Sequence, residues 1–351
     1  MSALFTIGHT LIGPATEPYV IAEVGINHNG NIETALAMID AAKSAGADAV
    51  KFQTFRAEEF CGDPNQQFTY TSAGKKKTES MLEMFKRMEL GRDDWKRIKS
   101  YADKVGITFF STPQNFSDLE LLLPLGIPAI KVGSDDLTNL PLISKYAEKD
   151  LPIILSSGMA DMAEVHRALE AARWFESKPV ALLVCTSQYP TPPEDVNIRR
   201  VVSLQEAFPG LLVGFSDHTQ GNEAAVMAVA LGAKIFEKHF TLDHDLEGPD
   251  HWFSLNPIEL TAWTKSIRDA HQMRGTGIVA PSKNELAMRE LARRSVVAIQ
   301  NIKSGDLLDE KNIGLRRPGT GLSPEFLPHI LGRVAKEPIE KGTLVLWRNL
   351  T

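Results

Sequence analysis

The sequence predicts an α/β protein, a (β/α)8 TIM barrel followed by a small β-rich domain. Eight β-rich runs alternate with amphipathic helical patterns over about 270 residues, which is the repeat of such a barrel. The pattern then changes to short strands and turns after Pro281. A doubly wound open sheet is the competing architecture. The first turn, GINHNGN at 25–31, does not match the G-x-G-x-x-G fingerprint that this alternative favours.

The predicted strands of the barrel are short apolar runs. They begin at Tyr19, Asp48, Ile107, Pro128, Pro152, Val180, Leu211 and Ala233. Between them lie segments such as NIETALAMIDAAKSAGA, where apolar residues recur at helical spacing. These residues are Ala35, Met38, Ile39 and Ala42. The connection from Phe55 to Asp94 is long and polar, and we expect it to contain two short helices and to form part of an active-site rim.

The domain organisation follows from this change of pattern. We expect a catalytic barrel over 1–281, a helical linker over 282–294 and a small domain over 295–351. The small domain contains an internal sequence repeat. Its two copies are IKSGDLLDEKNI at 302–313 and IEKGTLVLWRNL at 339–350, with Ile, Gly, Leu and Asn at matching positions. Two copies of one turn-and-strand unit predict a pseudo-symmetric β-rich domain.

Composition excludes several classes of function. The 351 residues carry a formal net charge of -6 with both signs mixed, so no basic field for nucleic acid or an anionic membrane is present. The basic run Lys75 to Lys77 is interpreted as a solvated loop. Cys61 and Cys185 have no metal or redox spacing and are expected to be reduced thiols. No secretory signal or membrane-spanning stretch is recognised, so we expect a cytoplasmic protein.

Polar residues gather where the predicted strands end, and that end of a barrel carries the active site. They are Glu23, Lys51, Gln53, Ser111, Thr112, Lys131, Ser134, Ser156, Ser157, Thr186, Ser187, Tyr189, Ser216, Asp217, His218, Glu237 and His239. In the last strand, KIFEKHF, successive side chains alternate between the two faces of the sheet. Glu237 and His239 therefore share one face, and Lys238 lies on the other.

Two groups of these residues indicate particular chemistry. Lys51 and Lys131 would need an anion to offset their desolvation, and phosphate or carboxylate is the simplest ligand, although a Schiff base on either lysine is a real alternative. His218 and His239 end adjacent strands beside carboxylates. They could hold a divalent cation such as Mn or Mg, Zn or Fe, or they could act in hydrogen bonding and acid–base chemistry.

The motifs at these strand ends resemble those of the sialic acid synthase family, the phosphoenolpyruvate-condensing N-acetylneuraminate synthases and their legionaminate and pseudaminate relatives. The resemblance covers nearly the whole chain. Its motifs are IAEVGINHNGN, VKFQTF, STP, KVGS, LSSGM, CTSQYPTPPEDVN, GFSDHT and EKHFTLD with GPDH beyond it. The terminal segment with RRPGTGLSP resembles that family's antifreeze-like (SAF) domain. The resemblance implies a domain-swapped homodimer in which the small domain of one chain caps the site of the other.

The resemblance also assigns roles. It implies His218 and His239 as ligands of Mn, with Mg or Co as substitutes. It implies phosphoenolpyruvate contacts from Lys51, Thr112, Lys131, Ser134, Ser156, Ser187 and Ser216. It implies amino-sugar contacts from Gln53, Tyr189 and Asp250, with Arg317 reaching in from the partner. Two positions depart from the family: Asp135 and Asp136 replace a Gly-Glu pair, and Ser187 is Asn in some relatives.

The implied reaction joins phosphoenolpyruvate and an N-acetylated hexosamine into a nine-carbon 2-keto acid with release of phosphate by C–O cleavage. Glu23 would manage protons around the attacking water, the two lysines would stabilise the phosphate, and Glu237 would orient an imidazole. Legionaminate or pseudaminate synthesis remains an alternative, because the residues do not decide the acceptor sugar. A Schiff-base pyruvate aldolase is a more distant enzymatic alternative. A non-catalytic sugar- or ice-binding module would leave the polar ring of the barrel unexplained.

Overall fold

The computed structural model describes residues 5–351, and the chain forms two compact units that divide after Gly275. This division falls a few residues before the expected limit of the barrel domain at 281. The helix Lys283–Ala292 occupies most of the expected linker and belongs to the smaller unit. Within residues 5–351, no helix is long and apolar enough to cross a membrane.

Fourteen β-strands are present in the described chain. They are β1 (Phe5–Ile7), β2 (Thr10–Ile12), β3 (Tyr19–Gly25), β4 (Ala49–Thr54), β5 (Gln67–Ser72), β6 (Lys75–Ser80), β7 (Thr108–Pro113), β8 (Ile130–Val132), β9 (Ile153–Ser156), β10 (Val180–Cys185), β11 (Leu212–Asp217), β12 (Ile235–His239), β13 (Ser295–Ala298) and β14 (Ile313–Arg316).

The α-helices alternate with the barrel strands and also occur in the smaller unit. They are α1 (Ile32–Ser44), α2 (Ala57–Phe60), α3 (Met81–Met88), α4 (Arg92–Val105), α5 (Phe116–Leu122), α6 (Leu140–Ala147), α7 (Met162–Ala171), α8 (Pro193–Val196), α9 (Arg200–Ala207), α10 (Glu223–Ala230), α11 (Pro257–Arg274), α12 (Lys283–Ala292) and α13 (Leu327–Ile330).

The larger unit is a closed parallel barrel with the strand order β3-β4-β7-β8-β9-β10-β11-β12. Each of the eight predicted strands is present, so the barrel prediction is confirmed and the open-sheet alternative is wrong. All seven residues of β3 are buried, as expected for parallel strands covered by helices on the outside. The closed order brings the carboxyl ends of all eight strands to one end of the barrel.

Helix α1 shows how local sequence positions the outer layer. The Asn31 side chain accepts a hydrogen bond from the Thr34 amide and caps the helix. The four apolar residues predicted to face the core are all buried. Gly46 follows the helix with φ of +80°, a conformation that favours glycine, and the chain then turns into β4.

Two hairpins were not predicted. Strands β1 and β2 pair in antiparallel fashion before the barrel, and β5 and β6 pair within the long connection between β4 and α4. Lys75 to Lys77 therefore lie on an exposed strand, and their interpretation as a loop was wrong. Thr69, Tyr70 and Thr71 favour a strand, and Ala73 and Gly74 make the turn with positive φ. That signal was available in the sequence.

The smaller unit contains two copies of one structure, as the internal sequence repeat predicts. Ile302 and Ile339 begin the two copies and exchange both backbone hydrogen bonds. The equivalent glycines Gly305 and Gly342 have φ of +87° and +88°. Their amides donate to the carbonyls of Ala335 and Ala298, residues that are themselves equivalent under the same offset. The copies therefore share their turn geometry and their pairing.

Candidate active site

A cavity of about 320 Å³ opens at the carboxyl ends of the barrel strands. Every barrel residue with a role assigned from the sequence lines it, except Asp250. They are Glu23, Lys51, Gln53, Thr112, Lys131, Ser134, Ser156, Ser187, Tyr189, Ser216, His218, Glu237 and His239. Four other polar residues at the strand ends do not line the cavity: Ser111, Ser157, Thr186 and Asp217. The strand ends thus bring residues that are distant in sequence to one place.

Four buried charged side chains form the floor of the cavity. The Lys51 ammonium lies 2.8 Å from Glu23 Oε2 and 3.6 Å from Glu237 Oε2. Lys131 Nζ lies 3.8 Å from Glu237 Oε1. None of these side chains is more than 7% exposed, so their charges interact in a poorly screened environment.

The two carboxyls of this floor have opposite protonation behaviour. Burial raises the pKa of Glu23 to about 7, although the neighbouring Lys51 opposes this shift. Burial also acts to raise the pKa of Glu237, but Lys131 and Lys51 outweigh it and bring that pKa down to about 2. Glu237 is therefore a fixed anion near neutral pH, and Glu23 can take up or release a proton there.

The two lysines also differ. Burial lowers the pKa of Lys131, while for Lys51 the two neighbouring carboxylates outweigh burial and raise the pKa. Lys51 donates to Thr112 Oγ1 at 3.0 Å, and Lys131 donates to Ser156 Oγ at 2.8 Å. Each ammonium thus comes with a hydroxyl, a combination that suits the oxygens of a bound anion.

Further hydroxyls lie close together beside Gly158. The Gly158 amide donates to Ser134 Oγ at 3.0 Å. A Cβ at position 158 would overlap the hydroxyls of both Ser134 and Ser187. Glycine at this position therefore lets the backbone after β9 approach two predicted ligand residues closely.

The two imidazoles also line the cavity, with ring centroids 5.6 Å apart, and His239 is the register partner of Glu23 on the neighbouring strand. His218 Nδ1 lies 2.7 Å from the Thr186 carbonyl, so this nitrogen carries a proton and donates it there. Burial acts to lower the pKa of His218, but Cys185 and the Thr186 carbonyl outweigh it and raise that pKa, so Nε2 must be free of its proton before it can bind a metal ion. His239 Nδ1 is buried without a hydrogen-bond partner. Burial and the neighbouring His218 lower the pKa of His239 well below its usual range, so this imidazole is neutral.

These features fit a site in which two histidines bind a metal ion without completing its coordination. Neutral imidazoles with an available lone pair are good ligands for divalent transition metals. Among residues 5–351, no group of three or more His, Cys, Asp or Glu side chains is arranged as a complete metal site. A cation held here would take its remaining ligands from water or substrate.

Aromatic and amide groups line the outer part of the cavity. The Tyr189 ring lies 4.2 Å from the His218 ring, centroid to centroid, and is 42% exposed. Gln53 Nε2 donates to Glu23 Oε1 at 3.4 Å. Asp250 is not among the lining residues, although its carboxylate is near enough to His218 to interact electrostatically, and burial raises its pKa to about 6. Arg317 belongs to the smaller unit and is not among the lining residues.

Sequence reasoning missed several residues of the cavity wall. They are Phe60, Phe85, Gln114, Gly133, Met159 and Cys185. Phe60 and Phe85 come from the long connection after β4, where their rings meet at right angles with centroids 5.0 Å apart. The prediction that this connection forms part of the rim could have led to them. Asp135, noted as a departure from the family pattern, also lines the cavity.

A (β/α)8 barrel with buried lysines, two carboxyls paired with them and two imidazoles at its catalytic end defines an enzyme site for an anionic substrate. Comparison with known proteins narrows this class. The profile of the NeuB family matches residues 38–279, and the profile of the SAF domain matches residues 293–351. The chain belongs to the NeuB family and carries a C-terminal SAF domain.

Named relatives agree with this assignment. An N,N'-diacetyllegionaminic acid synthase from Legionella pneumophila is 37% identical over 342 residues, 96% of each chain. An N-acetylneuraminate-9-phosphate synthase from Mus musculus is 35% identical over 333 residues, covering 93% of this chain and 91% of the relative. Because such relatives are synthases, the chain is an enzyme of this synthase family.

A solved structure supports the fold. The crystal structure of N-acetylneuraminic acid (sialic acid) synthetase from Leptospira borgpetersenii, in complex with citrate, superposes with a TM-score of 0.74 at 32% identity. The match covers 82% of this chain and 95% of that chain. The similarity therefore extends over most of both molecules.

Proposed function

We propose that this enzyme condenses phosphoenolpyruvate with an N-acetylated hexosamine to form a nine-carbon 2-keto acid and phosphate, as an N-acetylneuraminate synthase does. The observation that carries the proposal is one cavity lined both by two buried, hydroxyl-paired lysines and by two imidazoles. The lysines suit an anionic substrate, and the imidazoles suit a metal ion that polarises a carbonyl. The named synthases among the relatives support the same reaction.

The phosphate end of phosphoenolpyruvate is assigned to the lysine side of the cavity. Lys51 and Lys131 supply positive charge, and the nearby hydroxyls supply hydrogen bonds. These hydroxyls belong to Thr112, Ser134, Ser156, Ser187 and Ser216. Because the ammonium groups are already buried, they need little reorganisation when charge develops on the leaving phosphate.

The imidazole side is assigned to the aldehyde of the open-chain sugar. His218 and His239 would hold a divalent cation, for which we propose Mn²⁺, with Mg²⁺ or Co²⁺ as substitutes. Such a cation supplies Lewis-acid polarisation of a carbonyl oxygen. The hydrogen bond from His218 Nδ1 to Thr186 fixes the orientation of that ring.

Proton transfer is assigned to the two carboxyls. Glu23 has a pKa of about 7 and can exchange protons with the water that adds to C2 of phosphoenolpyruvate. Glu237 stays ionised and accepts a hydrogen bond from Ser216 at 2.9 Å. As a fixed anion between the lysines and on the same face of β12 as His239, it orients the polar groups around it.

The acceptor sugar is assigned to the outer part of the cavity. Gln53, Tyr189 and Asp250 would contact it, and the cavity-lining Asp135 is a further candidate for a sugar hydroxyl. A diacetamido-6-deoxy sugar, as in legionaminate synthesis, is the alternative, and the Legionella relative supports it. A pseudaminate-type acceptor remains a third choice.

We further propose a domain-swapped homodimer in which Arg317 reaches the acetamido group of a sugar bound by the partner. Helix α12 supports an intermolecular contact, because its apolar side chains are exposed: Leu286 by 48%, Met288 by 57% and Leu291 by 66%. A partner chain that covers them would remove this apolar surface from water. A cytoplasmic location is part of this proposal.

The decisive experiment is to measure phosphate release from phosphoenolpyruvate with each candidate hexosamine, in the presence of Mn²⁺ or a chelator. We expect release only with the metal and one of these sugars. Condensation of pyruvate with the sugar that survives chelation and releases no phosphate, together with borohydride trapping of a pyruvate adduct on Lys51 or Lys131, would instead support the Schiff-base aldolase and overturn the proposal.

A further inference from the structure

The outer face of the barrel wall behind the two imidazoles carries a second buried polar cluster. It consists of Asp217 at the end of β11, Lys238 on β12, Thr219 after β11 and Trp263 on α11. Asp217 and Lys238 are register partners on adjacent strands, just as Ser216 and Glu237 are. The cluster takes no part in the reaction proposed above, yet Asp217 and Lys238 are at most 3% exposed.

All the polar groups around Asp217 are satisfied. Its Oδ2 accepts from Lys238 Nζ at 2.8 Å and from Trp263 Nε1 at 3.0 Å. Its Oδ1 accepts from the Thr219 amide at 2.9 Å and from the Thr219 hydroxyl at 2.7 Å. Lys238 also donates to the Thr219 carbonyl at 2.6 Å. Buried charges with such complete pairing hold their geometry firmly.

His218 lies between the two residues that this cluster fixes. Asp217 precedes it, Thr219 follows it, and both are tied to Lys238. Lys238 in turn directly precedes His239, whose side chain points to the opposite face of β12. One ammonium group outside the barrel therefore sets the backbone that carries both imidazoles inside it.

We propose that Asp217, Lys238 and Trp263 form a positioning cluster that holds the His218 and His239 imidazoles at the separation needed to share one divalent cation. The inference rests on the metal site of the proposed function. Outer partners of metal-binding histidines orient the ligands, and their loss weakens metal affinity by about 10- to 100-fold. Here the orientation passes through the backbone rather than through the imidazole nitrogens.

Two substitutions test the cluster, and one serves as a matched control. Lys238→Met removes the ammonium and keeps most of the side-chain volume. Trp263→Phe removes the indole N–H donor together with part of a ring that is fully buried. Arg268→Met is the control, because Arg268 lies on the same helix α11 but pairs with Asp48, before β4 and at the other end of the barrel, at 2.6 Å.

The first readout is the affinity of each protein for Mn²⁺ alone, from the electron paramagnetic resonance of the free ion. We expect Lys238→Met to weaken binding by about 10- to 100-fold and Trp263→Phe by several-fold. Arg268→Met should bind Mn²⁺ as the wild type does, even if it unfolds at a lower urea concentration. Circular dichroism reports whether each variant is folded.

The second readout is the NMR spectrum of the imidazole nitrogens without metal. We expect the His218 and His239 signals to move in Lys238→Met and Trp263→Phe and to stay in place in Arg268→Met. If Lys238→Met fails to fold, Trp263→Phe decides the question by the same two readouts. Wild-type Mn²⁺ affinity and unchanged imidazole signals in a folded cluster variant would overturn the inference.

The two proposals can fail separately. If the wild type releases no phosphate with any acceptor but the cluster variants still lose Mn²⁺ affinity, the proposed function is wrong and the positioning role stands. If the wild type is active and the folded variants keep their Mn²⁺ affinity and imidazole signals, the positioning role is wrong and the function stands. If the wild type binds no Mn²⁺ at all, the shared-cation role is overturned with the metal site.

Discussion

The two faces of the wall formed by β11 and β12 both carry buried charges, but they satisfy them differently. On the outer face, the Asp217 carboxylate accepts four hydrogen bonds. On the inner face, Glu237 Oε2 and His239 Nδ1 are buried and have no hydrogen-bond partner. The same two strands thus carry a polar cluster with all of its carboxylate hydrogen bonds made on one side, and polar atoms without hydrogen-bond partners on the other.

The difference separates a structural role from a role in binding. Buried polar groups in proteins nearly always have partners, so each exception needs an explanation. Outside, the partners come from the chain itself, and the cluster stabilises the barrel wall. Inside, the polar atoms without partners lie in a cavity with two lysines and two imidazoles, where substrate and metal would bind to them.

The largest expected effect comes from removing an inner imidazole. We predict that His239→Ala lowers the rate of phosphate release by about a thousandfold or more, since it removes a ligand of an ion worth several kcal/mol to the transition state. Steady-state kinetics with the accepted sugar measures this loss. The far-ultraviolet circular dichroism should match that of the wild type. Activity within tenfold of wild type would refute the metal-ligand assignment.

A matched pair of lysine substitutions compares the stability of the two faces. Lys238→Met should lower the free energy of unfolding by about 3–5 kcal/mol, because it leaves the buried Asp217 charge unpaired. Lys131→Met should lower it by no more than about 1–2 kcal/mol, because relief of the desolvated ammonium offsets part of the loss at Glu237, which keeps Lys51 and Ser216 as neighbours. Urea unfolding without ligands measures both. Equal losses in the two variants would contradict the comparison.

The inner face should also show its own pH dependence. Burial raises the pKa of Glu23 to about 7, above the ordinary value of 4.5. The stability that this proton contributes is fully present below about pH 4.5 and is lost as the pH rises through 7. The free energy of unfolding of the wild type relative to Glu23→Gln should therefore fall by on the order of 1–3 kcal/mol between pH 5 and 8. A pH-independent difference would mean that Glu23 has no raised pKa.

The smallest effects are expected from single hydroxyls. Ser216→Ala removes the donor to Glu237 inside the barrel, and Thr219→Val removes a donor to Asp217 outside. We predict that Thr219→Val lowers the free energy of unfolding by about 1–2 kcal/mol and lowers activity by no more than several-fold, as expected for the loss of one donor to Asp217. Ser216→Ala should lower activity by up to about tenfold. Unfolding curves and kinetics of both variants test whether the outer hydroxyl matters more for stability and the inner hydroxyl more for activity.

Much of the barrel and its cavity could be predicted from the sequence, because parallel strands follow a simple rule. Each buried run is short and apolar, and its last residues must lie at the catalytic end. Alternation along β12 correctly separated Glu237 and His239 from Lys238. The internal repeat in the smaller unit likewise predicted that its two copies form the same backbone hydrogen bonds, since similar sequences with glycine at the same position form similar turns.

The rest depends on contacts that no local pattern encodes. Trp263 reaches Asp217 across 46 residues, and its helix shows only that some apolar side should face the barrel. Phe60 and Phe85 enter the cavity from a connection whose path is set by its own hairpin. In such regions tertiary packing decides which of several polar or apolar residues faces the site.

The alternation along strand β12 limits which sequence changes the protein can accept during evolution. Its side chains alternate between the active-site cavity and the outer cluster around Asp217. A residue on one face can therefore be substituted while the residues on the other face keep their contacts. An insertion or deletion of one residue would exchange the faces, placing Lys238 in the cavity and Glu237 against α11. Variation in this segment should therefore occur by replacement at constant length, and a library of one-residue insertions across 235–239 should yield no folded, active protein.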